Sequence, residues 1–198
     1  MGKIRHLDEV KRFAEATPVF RLKDIEMIVG DRSYAAVLLH RMERRRQLVR
    51  VTKGWYSRYD DPAVAVFSFK PAYLGLQNAL SVMNIWEQEA NVVIVSTRRI
   101  RTGLRRMLNA NVVLHRIEQR YFFGYEFLRH GDFYAPVSDL EKTLIDLVYF
   151  GEFPGREELR EALGRVNKEK IARYLREYPE RFQKRVMKRY HLRSRRES

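Results

Sequence analysis

Asp31 to Tyr59, DRSYAAVLLHRMERRRQLVRVTKGWYSRY, is the stretch that decides how the rest of the chain is read. Its first half predicts a helix. At 100° per residue, Tyr34, Val37, Leu38 and Met42 fall on one apolar arc, and Arg32, Ser33, Ala36, His40, Glu43 and Arg44 fall on the opposite face. That opposite face is small or polar near its start, so it could enter a groove about 12 Å wide with no bulky side chain holding it off the base edges. Arg44, Arg45 and Arg46 close the helix. Their charges suit the negative end of the helix dipole and would lie where a phosphate backbone could pass. The second half alternates. Leu48 to Thr52 predicts a strand, Lys53-Gly54 a reversal, and Trp55, Tyr56 and Arg58 the return.

A helix followed by a basic-tipped ribbon is the outline of a winged helix-turn-helix, in which the helix reads a major groove and the wing touches the backbone or a minor groove. The candidate DNA-binding residues are Arg32, Ser33, Ala36, His40, Arg44 and Arg45 on the helix and Lys53 on the wing. The competing reading is a small helix and hairpin packed on a larger core, with solvated arginines.

Upstream, Leu7, Val10, Phe13 and Ala14 share a helical face over Leu7 to Ala16, and Thr17-Pro18 ends that helix. Val19 and Phe20 are short and extended. Leu22 to Val29 predicts a second helix stopping at Gly30, with Asp31 or Ser33 available to cap the next. Downstream, Asp60-Asp61-Pro62 combines a turn signal with a proline and marks a domain boundary. The apolar run Ala63 to Phe69 has no decisive period. Ala72 to Met83 predicts a helix opened by Pro71, Asn91 to Thr97 a strand buried on both faces, and Val112 to Glu118 and Tyr121 to Leu128 two further strands. Phe133 to Ala135 is extended up to Pro136, and Ser138 caps an amphipathic helix from Asp139 to Phe150. Arg156 to Leu163, Lys168 to Glu177 and Glu180 to about Tyr190 are helical, and the final RSRRES has nothing to bury. The fold class is α+β: an N-terminal winged helix-turn-helix over residues 1–60, a mixed α/β domain over 61–155, and a helical C-terminal extension with a basic tail over 156–198.

Charge narrows the partners. A formal net charge of +14 over 198 residues points to a polyanion. Arg98, Arg99, Arg101, Arg105 and Arg106 form a possible second basic surface, able to hold more duplex, an RNA or an acidic protein face; the plainer reading is a solvated loop or helix. With no cysteine there is neither a disulfide framework nor a thiolate zinc site. No segment approaches the roughly 18 apolar residues of a membrane span, so no membrane is expected and the cytoplasm is the expected location.

Four pieces taken in order, the helix-turn-helix with KGWY on its wing, PAYLGLQNAL, VVIVST and APVSDLEKTLIDLV, resemble the antitoxin half of the abortive-infection toxin-antitoxin systems. This is the AbiEi type, also described as transcriptional regulators of viral defence, and the resemblance runs from about Lys11 to Phe150. It implies an N-terminal winged helix that binds double-stranded DNA at repeats in its own promoter and represses it. It also implies a C-terminal domain that counteracts a nucleotidyltransferase toxin without forming a stable complex.

Catalytic chemistry finds little support. None of the five histidines has a second ligand at metal-binding spacing, and the ten glycines form neither GxGxxG nor a phosphate-binding loop, so neither metal nor cofactor is expected. Glu141 and Asp146 invite an acid-base or metal-holding role, but residues five apart on a helix do not aim at one point. A buried Asp146 bonded to a neighbouring arginine is the ordinary alternative. An enzyme that uses the winged helix only to dock nucleic acid, or a basic module that grips an acidic protein, are the other readings.

Overall fold

The computed structural model describes residues 6–86 and 91–192, so the expectation for RSRRES falls outside the described residues. The first elements are α1 (Leu7–Ala16), β1 (Phe20–Arg21), α2 (Leu22–Val29), α3 (Arg32–Arg44), β2 (Val49–Thr52) and β3 (Trp55–Ser57). α2 stops on Gly30 at φ 76°, a left-handed value that glycine adopts without a Cβ clash. The Asp31 carboxylate then accepts the Tyr34 N–H at 2.6 Å and caps α3. β1 pairs with β3 and β3 with β2, all antiparallel, so the short piece at Phe20 joins the hairpin in a three-stranded sheet. Val10, Ala14, Phe20, Ile25, Ala35, Leu38, Leu39, Met42 and Leu48 form one core beneath it. Each large aliphatic side chain sealed there contributes about 1.5–3 kcal/mol.

Asp61 accepts the Ala63 N–H at 2.8 Å and opens a 3-10 segment, Pro62–Phe69, whose residues from Ala63 onward are all buried. Then come β4 (Ala72–Leu74), α4 (Leu76–Val82), β5 (Val92–Ser96), β6 (Gly103–Met107), β7 (Ala110–Arg116), a 3-10 turn (Gln119–Tyr121), β8 (Tyr125–His130), β9 (Phe133–Ser138), α5 (Leu140–Phe150), α6 (Arg156–Arg165), α7 (Lys168–Leu175) and α8 (Glu180–Tyr190). The six-stranded sheet has the order β6-β7-β5-β4-β9-β8 and mixes parallel with antiparallel neighbours. β5 lies inside it with Ile94 in one core and Val93 and Val95 in the other, as a strand buried on both faces requires.

Several local expectations change. The strand read over Tyr121 to Leu128 begins only at Tyr125 and runs to His130, after a 3-10 turn at Gln119–Tyr121. Ala72 to Leu74 is a strand, because it pairs with both β5 and β9, and the helix begins only after Gly75. Pro136 lies inside β9. A proline forfeits one ladder bond, but β9 is held over six residue pairs by β8. The cap of α5 is Asp139, which accepts the Lys142 N–H at 2.8 Å, while Ser138 Oγ bonds Thr143 Oγ1 at 2.7 Å.

The sheet separates two apolar layers. On one face the 3-10 segment packs with Val19 and Val51 of the N-terminal unit. On the other, α4 and α5 pack with Ala162 of α6, Ile171 and Leu175 of α7, and Val186 and Tyr190 of α8.

Candidate nucleic-acid interface

The phase of α3 is set by what it buries. Ala35, Leu38, Leu39 and Met42 face the core, which turns Ser33, Ala36, Val37, His40 and Arg44 outward, and all five are exposed. Val37, expected inside, is 46% exposed, because the buried stripe runs through Ala35 and Leu39 instead. Ser33 and His40 present hydrogen-bonding groups on this face, and Ala36 and Val37 present small apolar surface beside them.

Cations frame this face. Arg32 is held by Glu26 of α2 at 3.1 Å, an exposed pair worth under about 1 kcal/mol that a phosphate could replace. Arg44 and Arg45 are exposed at the end of the helix, and among the described residues neither has an ion-pair partner. α3 closes through Arg46 N–H to Glu43 carbonyl and Gln47 N–H to Met42 carbonyl, both 2.9 Å. Arg46 takes φ 56° at the position where glycine is usual. A left-handed non-glycine residue costs about 1–2 kcal/mol, so an arginine is kept at the helix exit against its conformational preference. The hairpin turns on Gly54 at φ 77° and leaves Lys53 exposed at the tip, with Arg50 exposed on β2. Trp55 serves the fold, since the Arg21 guanidinium lies 3.9 Å from its ring centre and ties β1 to the hairpin. Val37 and Arg50 are exposed here although the candidate residues read from the sequence do not include them; Arg50 has a legible signal, a basic residue at an outward position of β2.

The possible second basic surface is a loop leading into an edge strand, with no helix. Arg105 and Arg106 belong to β6, which pairs with β7 alone, while Arg98, Arg99 and Arg101 lie in the segment before it. Not all of these charges are free. The Arg98 guanidinium donates to Ser68 carbonyl at 3.2 Å, and Arg105 donates to Arg101 carbonyl at 2.7 Å. Arg99, Arg101 and Arg106 are exposed.

The carboxylates of the EKTLIDL helix are engaged in separate places. Glu141 accepts the Asn167 N–H at 2.8 Å and pairs with Lys170 at 2.9 Å, and Lys170 also reaches Asp139 at 3.1 Å. Tyr174 donates to Asp139 at 2.8 Å; burial and that bond push its hydroxyl up to about 12. Asp146 is fully buried, accepts the Tyr73 hydroxyl at 2.6 Å and pairs with Lys142, one turn earlier, instead of an arginine. Burial raises the Asp146 carboxyl and lowers the Lys142 ammonium, each opposed by its partner, and it raises the Tyr73 hydroxyl. Lys142 also donates to Tyr178 at 3.2 Å, inside a cage of the Tyr73, Phe123 and Tyr178 rings. The cluster joins α5, β4 and the α7–α8 turn.

The chain shares a fold with a solved structure. It is similar to the crystal structure of the RV2827C protein from Mycobacterium tuberculosis, with a TM-score of 0.58 and 12% identity, covering 92% of this chain and 76% of that one. At that identity the likeness carries the α+β architecture and nothing of activity. No protein-family model matches the chain, and no curated protein matches it.

Proposed function

We propose that this chain is a sequence-specific DNA-binding transcriptional repressor, whose first six elements form a winged helix-turn-helix and whose α3 enters the major groove. One observation carries the reading. The small outward face of α3, with Ser33, Ala36, Val37 and His40, is uncovered and is flanked by the cations Arg44 and Arg45. Phosphate contacts from Arg44, Arg45 and Lys53 would set register, and Ser33, Ala36 and His40 would carry base choice. The order helix, helix, tight turn, helix, hairpin supports the winged form.

The resemblance to AbiEi-type antitoxins adds the setting: repeats in the chain's own promoter, autoregulation, and a nucleotidyltransferase toxin counteracted without a stable complex. A cytoplasmic location belongs to this reading. Among the described residues no helix is long and apolar enough to cross a membrane. The separate engagement of Glu141 and Asp146 favours a regulator over an enzyme that pairs those carboxylates.

The test is affinity for the duplex upstream of the gene, measured by fluorescence anisotropy over a salt series. Affinity should fall steeply with salt, and Arg44→Ala or Lys53→Ala should weaken binding and reduce the logarithmic slope by about 1 each. Sequence-blind binding that neither substitution changes would remove the repressor reading.

A further inference from the structure

β8 is the last strand of the six-stranded sheet, and its pairing with β9 fixes which side chains share a face. Tyr125 stands opposite Ser138, Phe127 opposite Pro136 and Arg129 opposite Tyr134. Leu128, Phe133, Ala135 and Val137 occupy the alternate face and pack into the core shared with the 3-10 segment. The first face is the one that α4 and α5 cover further in, over Tyr73 and Val95. At its margin the cover stops: Phe127 is 60% and Tyr134 63% exposed, while Tyr73 is fully buried. Tyr125, 39% exposed, is seated between these zones, stacked on Tyr73 with ring centres 5.6 Å apart.

A purely apolar margin would suit a second copy of the chain. This one carries a cation among its rings. Arg129 lies directly across from Tyr134 and two residues along the strand from Phe127, a spacing of about 7 Å. Its Nε donates to Gly131 carbonyl at 3.2 Å, which anchors the guanidinium on the hairpin. The acidic neighbour Glu126 points to the alternate face by the same alternation, and Asp132 belongs to the turn. A net charge of +14 repels a second copy and attracts a polyanion. Aromatic rings exposed on a sheet beside a guanidinium are the surface on which unpaired bases stack, since every base offers a π-face and its backbone a phosphate.

We propose that the β8–β9 face binds single-stranded nucleic acid, with bases stacked on Phe127 and Tyr134 and phosphate held by Arg129. It is separate from the α3 face and takes a different form of nucleic acid. The test uses the full chain with a short fluorescein-labelled oligouridylate and its deoxy counterpart, read by anisotropy. Phe127→Ala and Tyr134→Ala should each weaken binding roughly 5- to 100-fold, as loss of one stacked base does. Tyr134→Phe should retain it, and Arg129→Ala should weaken it and flatten the salt dependence. Lys53→Ala, on the hairpin tip of the other unit, should leave it unchanged, which separates this site from the duplex-reading one. Tighter binding of the ribo form would assign RNA. Wild-type affinity in the Phe127→Ala, Tyr134→Ala double variant would overturn the proposal. So would size-exclusion showing that the double variant turns a dimer into a monomer, because the face would then belong to a second copy.

Discussion

Replacing Asp146 by Asn removes a charge and keeps the shape, which isolates what the Lys142–Asp146 pair does. Both side chains are fully shielded from solvent, and without the carboxylate Lys142 keeps only the Tyr178 hydroxyl and three ring faces. A buried charge stripped of its partner costs about 3–5 kcal/mol. An independent ceiling comes from letting Lys142 lose its proton. From the ordinary value of 10.5 down to pH 7, that costs about 5 kcal/mol at 1.36 kcal/mol per unit. For a chain of this length the loss corresponds to a melting point lower by roughly 6–20 °C. The ceiling also sets the pH dependence. In the variant, the lysine pKa is lower folded than unfolded, so the unfolded chain binds more protons and stability rises with pH up to about 10. The deficit should therefore shrink as pH rises, under a ceiling of about 2 kcal/mol at pH 9. Urea denaturation at both pH values, followed by far-ultraviolet circular dichroism, reads this directly. The double variant Lys142→Met, Asp146→Leu should be less damaged than Asp146→Asn, because it leaves two neutral hydroxyls, Tyr73 and Tyr178, short of a partner and no buried charge. An Asp146→Asn protein within 1 kcal/mol of wild type at pH 7, or a deficit that ignores pH, would refute the reasoning.

Two glycines should respond in opposite ways. A Cβ on Gly124, at φ 68°, would sit 2.9 Å from Lys142 Cβ and 2.9 Å from Tyr174 Cε2, so Gly124→Ala should cost roughly 2–5 kcal/mol in a urea melt. Gly164, helical and with nothing within 4 Å, should gain about 0.5–1 kcal/mol on change to Ala. At the start of the 3-10 segment, burial would raise the Asp61 carboxyl, but the His130 bond, the Ala63 N–H and the His130 charge outweigh it and hold it below 3.8. Its stabilising contribution is complete above about pH 4 and is lost as pH falls through the depressed folded value. Asp61→Asn keeps a capping oxygen but no charge, so thermal melts should show it less stable than wild type at pH 6, with the gap closing below about pH 4.

The N-terminal elements were legible because their signals are local. Gly30 stops one helix, Asp31 starts the next, and Lys53-Gly54 turns the ribbon, each through backbone chemistry within a few residues. Phase was harder. α3 carries apolar residues on nearly every side, so Val37 could be assigned inward as readily as Ala35, and only packing against α1 and α2 decides between them. The second half was less readable for a different reason. Tyr73, Leu76 and Leu80 fit a helical period, yet the residues at 72–74 gain ladder bonds from strands far away in sequence. β6 was hidden because its turn, Leu108-Asn109, takes left-handed φ values of 47° and 59°, and leucine is not a residue that announces such a turn. Asp146 pairs with a lysine where the sequence suggests an arginine, because Lys142, one helical turn away, reaches it without crossing to another element.

The outward face of α3 is open to one direct measurement: the ratio of affinities for the upstream duplex and for a shuffled duplex of equal length, at physiological salt, in wild type and in Ala36→Glu. Wild type should prefer its own sequence by roughly 1,000-fold or more. Ala36→Glu should abolish that preference with its melting temperature unchanged, because the new carboxylate projects from an exposed position into the groove. A wild-type ratio near one, or a preference that survives Ala36→Glu intact, would contradict the account.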